Sequence, residues 1–143
     1  METYDWKNGL AWPGKLRTGN EKIDGQHKMI FQLISDLVDA RIIGESKEIF
    51  GEKLVFLVNY TVDHFYHEEK LMIEINYPNY KNHKKLHDDF KITVLKLKGE
   101  FDSGGASNEL VKSLENAVIR WVIKHIQYED MNIVSYLSAI KLK

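Results

Sequence analysis

The sequence predicts an all-α fold, an antiparallel up-down-up-down four-helix bundle with an N-terminal arm and a short C-terminal helix. Three observations predict it: four long segments have apolar residues recurring every three or four positions, no segment alternates as a strand would, and only a few residues separate the segments. With 143 residues, 43% hydrophobic and 29% charged, the chain fits a single domain over 1–143, the arm taking 1–18 and the bundle about 20–140.

In the first helix Ile23, His27, Ile30, Ile34, Leu37 and Arg41 form one stripe, which Asn20 can cap and Gly44 can end. In the second, Phe50, Leu54, Leu57, Thr61, His64, Glu68, Leu71 and Ile75 keep the same rhythm until Pro78 stops it. The third carries Tyr80, His83, His87, Phe90, Val94, Leu97 and Phe101. Gly104 and Gly105 then break the chain, and Ser107 can cap a fourth helix through Leu110, Leu114, Val118, Trp121 and His125. The arm, with Trp6, Leu10 and Trp12, is expected to pack its indoles on the bundle.

Charge and composition exclude several functions. Twenty Lys+Arg against 21 Asp+Glu leave a net charge of -1, without the clustered basic residues that nucleic acid or an anionic membrane requires. Cysteine is absent, which removes disulfides, thiolate metal sites and cysteine nucleophiles. The first ten residues lack an apolar signal core and no stretch is long enough to span a membrane, so a cytoplasmic protein is expected.

Each apolar stripe turns polar at one place: His27, then His64 and Glu68, then His83 and His87, then His125. In an alternating bundle the start of one helix lies beside the end of the next, so these six residues are expected to converge near one end of the core. Unpaired polar groups in an apolar interior cost a few kcal/mol each, and metal coordination would offset that. Neutral imidazoles with carboxylates suit iron or zinc, and the i, i+4 pairs His64/Glu68 and His83/His87 put two donors on one helical face. Five imidazoles exceed what one tetrahedral zinc uses, which implies two adjacent metals. Leu71 stands where a zinc-protease HExxH motif beginning at His67 would need its second histidine, and no glutamate precedes a histidine by three residues as in ferritin-like sites.

These residues resemble the hemerythrin family, in particular its single-domain bacterial forms. The likeness runs from Trp12 through Thr18-Gly19-Asn20, Ile23-Asp24-x-x-His27, His64-Phe65-x-x-Glu68-Glu69, His83-x-x-x-His87, Trp121 and His125-x-x-x-x-Asp130. The resemblance implies a non-haem centre of two iron ions, cycling between Fe2+ and Fe3+ with an oxo or hydroxo bridge, that binds O2 reversibly. It implies His83, His87 and His125 on one iron, His27 and His64 on the other, and Glu68 and Asp130 bridging the two.

Helix geometry contests one of these positions. Five residues advance a regular helix by ~500°, leaving Asp130 ~140° away from His125, whereas Glu129 would share its face. Beyond this point, however, the stripe resumes as Asp130, Ile133, Leu137 and Ile140, one residue out of phase. One inserted residue marks a π-bulge or a helix break, which favours Asp130 over Glu129 as the donor.

His67 is read as a partly exposed bystander; Glu69, with Asp88 and Asp89, is read as solvated or as a hydrogen-bond partner of a ligating histidine. Ile30, Phe65, Trp121 and Val122, each close to a ligand position, are expected to wall a dry O2 pocket. The expected function is oxygen carriage, storage or delivery, with O2 as ligand, an unidentified protein as a conceivable acceptor of it, and no catalysis beyond weak oxidase or peroxidase side activity. The competing readings are an O2 or redox sensor, which would need a separate output partner, and a di-iron enzyme handling peroxide or nitric oxide.

Overall fold

The computed structural model describes residues 17–105 and 107–141, with the backbone alone at position 115. Helices α1 (Glu21–Ile42), α2 (Lys47–Glu74) and α3 (Tyr80–Gly104) are followed by a fourth rod made of five segments. These are α4 (Asn108–Leu114), a π turn (Glu115–Ile119), α5 (Arg120–Lys124), a second π turn (His125–Asp130) and α6 (Met131–Lys141). Backbone angles at Ile119, Lys124, His125 and Met131 all stay right-handed helical, so the rod is continuous and the short C-terminal helix, α6, follows in line. The expected arm falls largely on residues 1–16, so Trp6, Leu10 and Trp12 lie outside the described residues.

Side chains at the helix starts satisfy donors that the helices leave open. Asn20 Oδ1 accepts from Ile23 N at 3.0 Å, Ser46 Oγ from Ile49 N at 3.2 Å and Ser107 Oγ from Leu110 N at 3.1 Å. At the entry to α1 the buried Asp24 carboxylate accepts from Thr18 N, Thr18 Oγ1 and Gly19 N at 2.9, 2.7 and 3.1 Å. That clasp ties the turn at Gly19 (φ 92°) to Asp24, less than one helical turn before His27. Gly44, at φ 74°, turns the chain after α1.

The stripes fill the interior in two unequal clusters. The large one runs from Leu37, Phe50, Leu54, Leu97, Phe101, Leu110 and Leu114 up to Phe65, Phe90, Val122 and Ile126. Phe101 also packs on Gly51, where an added Cβ would meet the ring at 2.9 Å. A small cluster of Met72, Tyr77 and Ile133, flanked by Leu71, Ile75, Tyr80 and Tyr136, closes the other end. The polar positions of the four stripes form a layer between the two.

Candidate metal centre

His27 near the start of α1, His64 and Glu68 late in α2, His83 and His87 at the start of α3, and His125 and Asp130 across the second π turn all reach this layer. None of the seven is more than 5% exposed. They form two overlapping groups whose donor atoms lie within 4.8 Å of one another: His83, His87 and His125 with Glu68 and Asp130, and His27 and His64 with the same two carboxylates.

Each carboxylate turns one oxygen to each group. Glu68 Oε1 lies 3.2 Å from His87 Nε2 and 3.6 Å from His83 Nε2, while its Oε2 lies 3.2 Å from His64 Nε2 and 3.7 Å from His27 Nε2. Asp130 Oδ1 stands 3.1 Å from both His83 Nε2 and His125 Nε2, and its Oδ2 stands 2.8 Å from His27 Nε2. The Nε2 atoms also face each other, at 3.1 Å between His27 and His64 and 2.9 Å between His87 and His125.

The second π turn is what admits Asp130. It inserts the one residue by which Asp130 is out of step with His125, so both are buried in one layer while Glu129 is only partly buried at the edge. The helix continues unbroken on the far side.

Outward-facing nitrogens fix the rings. His64 Nδ1–H donates to Gln26 Oε1 at 2.6 Å and His87 Nδ1–H to Glu69 Oε2 at 2.9 Å, which leaves each Nε2 lone pair aimed inward. Of the two roles the sequence left open for Glu69, solvated group or histidine partner, it takes the second, whereas Gln26 was missed because no spacing rule relates a residue of α1 to a ring 38 positions away on α2.

The electrostatics demand positive charge in this layer. Burial opposes ionisation of His64 and His83, yet the adjacent Glu68 and Asp130 carboxylates outweigh it and push them up to about 10 and about 9. His27 is raised in the same way, against burial, chiefly by Asp130 and then Glu68. Burial also favours the neutral forms of Glu68 and Asp130. The histidine rings reverse that and hold both well below the usual carboxylate range.

Among the described residues, both oxygens of Glu68 and of Asp130, and both ring nitrogens of His83, are buried without a well-formed hydrogen bond. Such groups are costly unless something binds them. A nitrogen-rich set of five imidazoles around two carboxylates fits a pair of borderline divalent cations, each carboxylate reaching both.

The expected pocket residues occupy two places. Ile30 and Val122 are buried in the large core cluster. Phe65, expected beside His64, lies flat on His87 instead, with ring centroids 3.9 Å apart and planes 7° apart, and stands 6.2 Å from His64. One residue further along α2 turns a side chain ~100°, which carries Phe65 toward α3. Trp121 stacks on His125 at 4.4 Å and on Phe90 at 4.2 Å. Both aromatics therefore wall the three-histidine group. His67 stands outside both groups, 40% exposed, with Nε2 3.4 Å from Asp63.

Residues 18–137 match the family described as Hemerythrin HHE cation binding domain. The chain is 34% identical over 132 residues to a bacteriohemerythrin of Pseudomonas aeruginosa, covering 92% of this chain and 82% of that one. It is 33% identical over 119 residues to a myohemerythrin of Theromyzon tessulatum, covering 83% and 86%. A crystal structure of wild-type hemerythrin superposes with a TM-score of 0.79 at 28% identity, over 91% of this chain and 98% of that one.

Proposed function

Since the chain belongs to the hemerythrin family, we propose that its buried layer holds two iron ions and binds O2 reversibly, for carriage, storage or local delivery. The observation that carries the reading is the pair of carboxylates, each with one oxygen toward a three-histidine group and one toward a two-histidine group. His83, His87 and His125 would hold one ion, His27 and His64 the other, and Glu68 and Asp130 both.

The iron pair, when bound, supplies the electrons that O2 takes up and returns. The chain's own residues do the rest. Gln26 and Glu69 hold His64 and His87 with their donor nitrogens inward. Phe65, Phe90 and Trp121 exclude water from the three-histidine side, and Met72, Tyr77 and Ile133 close the layer from the far end. Five neutral imidazoles and only two carboxylates would leave a pair of divalent iron ions with a net charge of about +2 from the chain's own donors. A set richer in carboxylates would lower that charge and favour stronger oxidation chemistry. Among the described residues no helix is long and apolar enough to cross a membrane.

The test is metal analysis and a visible spectrum of iron-replete protein cycled between argon and air. Two irons per chain and a charge-transfer band that grows in air and fades under argon are the expected result. One tightly held zinc with no iron uptake, or irreversible bleaching with peroxide consumption, would sink the proposal.

A further inference from the structure

A cleft of about 320 Å3 opens between the start of α1 and the end of α2, and Glu68 stands on its lining. Glu68 is 2% exposed and both its oxygens are buried against the histidine rings, so the cleft reaches the residue whose carboxylate faces both histidine groups. His67 and Glu74 stand on the same cleft, as does Gln26, whose amide holds His64. Elsewhere among the described residues Phe65, Phe90 and Trp121 wall much of the three-histidine side, with Glu69 at its edge on His87, and Met72, Tyr77 and Ile133 pack at the end of the layer.

Resting on the two-iron reading above, we propose that this cleft is the entry port for the metal ions, with His67 and Glu74 as transient ligands that hand a divalent cation to Glu68. A hydrated divalent cation cannot cross stacked aromatic rings without losing its water at once. Along the cleft it exchanges water for protein donors in steps, first at the exposed imidazole and carboxylate, then at Glu68, then at the Nε2 atoms of His64 and His27. These are the nitrogen and oxygen donors that suit Fe(II). Lys22 and Lys70 line the cleft too and balance Glu68 and Glu74 in charge, so the port works by contact ligation and not by long-range attraction. His67 is thereby a kinetic ligand, absent from the resting set.

The experiment mixes metal-free full-length protein with Co(II), or with Fe(II) under argon, and follows uptake by absorbance to completion. His67→Ala combined with Glu74→Gln should slow uptake by about tenfold at unchanged final stoichiometry, in line with what loss of an auxiliary metal-site residue costs. His67→Trp, which fills the cleft, should slow it further, and Lys70→Glu should quicken it. All four changes are at half-exposed or exposed positions, outside the buried core. Unchanged rates with two ions bound would overturn the port and leave the metal centre standing. A lower final stoichiometry in His67→Ala would make His67 a resident ligand and overturn the port as stated. Wild-type protein that takes up no pair of ions would overturn the proposed function, and the port with it.

Discussion

At one end of the bundle Phe50, Leu54, Leu97, Phe101, Leu110 and Leu114 close the core with hydrocarbon alone, while toward the other five imidazoles and two carboxylates share one layer. The same four helices supply both, with the same three-and-four spacing. The apolar end buries its side chains at no polar cost, so it is stable without a ligand. The polar layer sets the Glu68 and Asp130 carboxylates against buried imidazoles, so its stability depends on positive charge there, from ring protons or from a bound cation. On the proposed function such a bundle is half scaffold and half receptor, and the scaffold would keep the receptor's donors in place before metal binds.

The change that most sharply separates the two ends is at Asp130. Asp130→Ala removes one of the two carboxylates that face both histidine groups, and should abolish binding of the metal pair, read as loss of more than one metal equivalent per chain. Glu129→Ala, one residue away at the edge of the layer, should keep both. Equal loss from both would mean that the π turn does not decide which carboxylate serves the site.

Next in size is a cavity at the apolar end. Leu97→Ala deletes a buried side chain 6% exposed and should cost about 2–5 kcal/mol of unfolding free energy, measured by denaturant titration. The loss should be the same with and without metal, because the scaffold end does not sense the ligand. A penalty that shrinks on metal loading would show the two ends to be coupled.

Confined to the polar layer is the pH dependence of metal-free protein. His64 and His83 titrate at about 10 and about 9 in the fold against 6.5 ordinarily, so their contribution is fully present below 6.5 and is lost as pH rises through 9 to 10. Glu68 and Asp130 are depressed, so theirs is present above the ordinary carboxylate range and is lost as pH falls below it. Denaturant midpoints of the metal-free protein should therefore peak between the two limits and fall toward alkaline pH. Metal loading, which replaces the ring protons at Nε2, should flatten the alkaline fall.

Much of this was legible in the sequence because helical periodicity reports a face and the site is an interruption of that face. Every buried position of α3, from His83 and His87 to Phe101, stands in the stripe read from spacing. The phase slip between His125 and Ile133 marked the second π turn. The first, at Glu115–Ile119, left no such mark, since Leu114, Val118 and Val122 keep a spacing of four across it. Relations between helices were the part that spacing could not carry. Gln26 under His64, Phe65 lying on His87, and the Met72–Tyr77–Ile133 seal depend on how rods are rotated against each other, and a one-dimensional pattern fixes that only to within a residue.

The smallest expected effect lies where scaffold meets receptor, at Trp121. Its indole stacks on His125 at 4.4 Å and on Phe90 at 4.2 Å, so it belongs to the apolar packing and to the wall of the polar layer at once. Trp121→Phe keeps an apolar ring over the imidazole and should change little. Trp121→Ala opens space that water can enter, because the His125 ring supplies a polar neighbour that a purely apolar cavity lacks. Metal content should stay near that of the parent, since Trp121 offers no donor to either group. The oxygenated form should decay about two- to tenfold faster, followed as loss of its visible band in air, because water admitted beside the centre promotes its irreversible oxidation. An unchanged decay rate in Trp121→Ala would confine this side chain to core packing and place the water barrier elsewhere, with Ile30 and Val122 next to be tested.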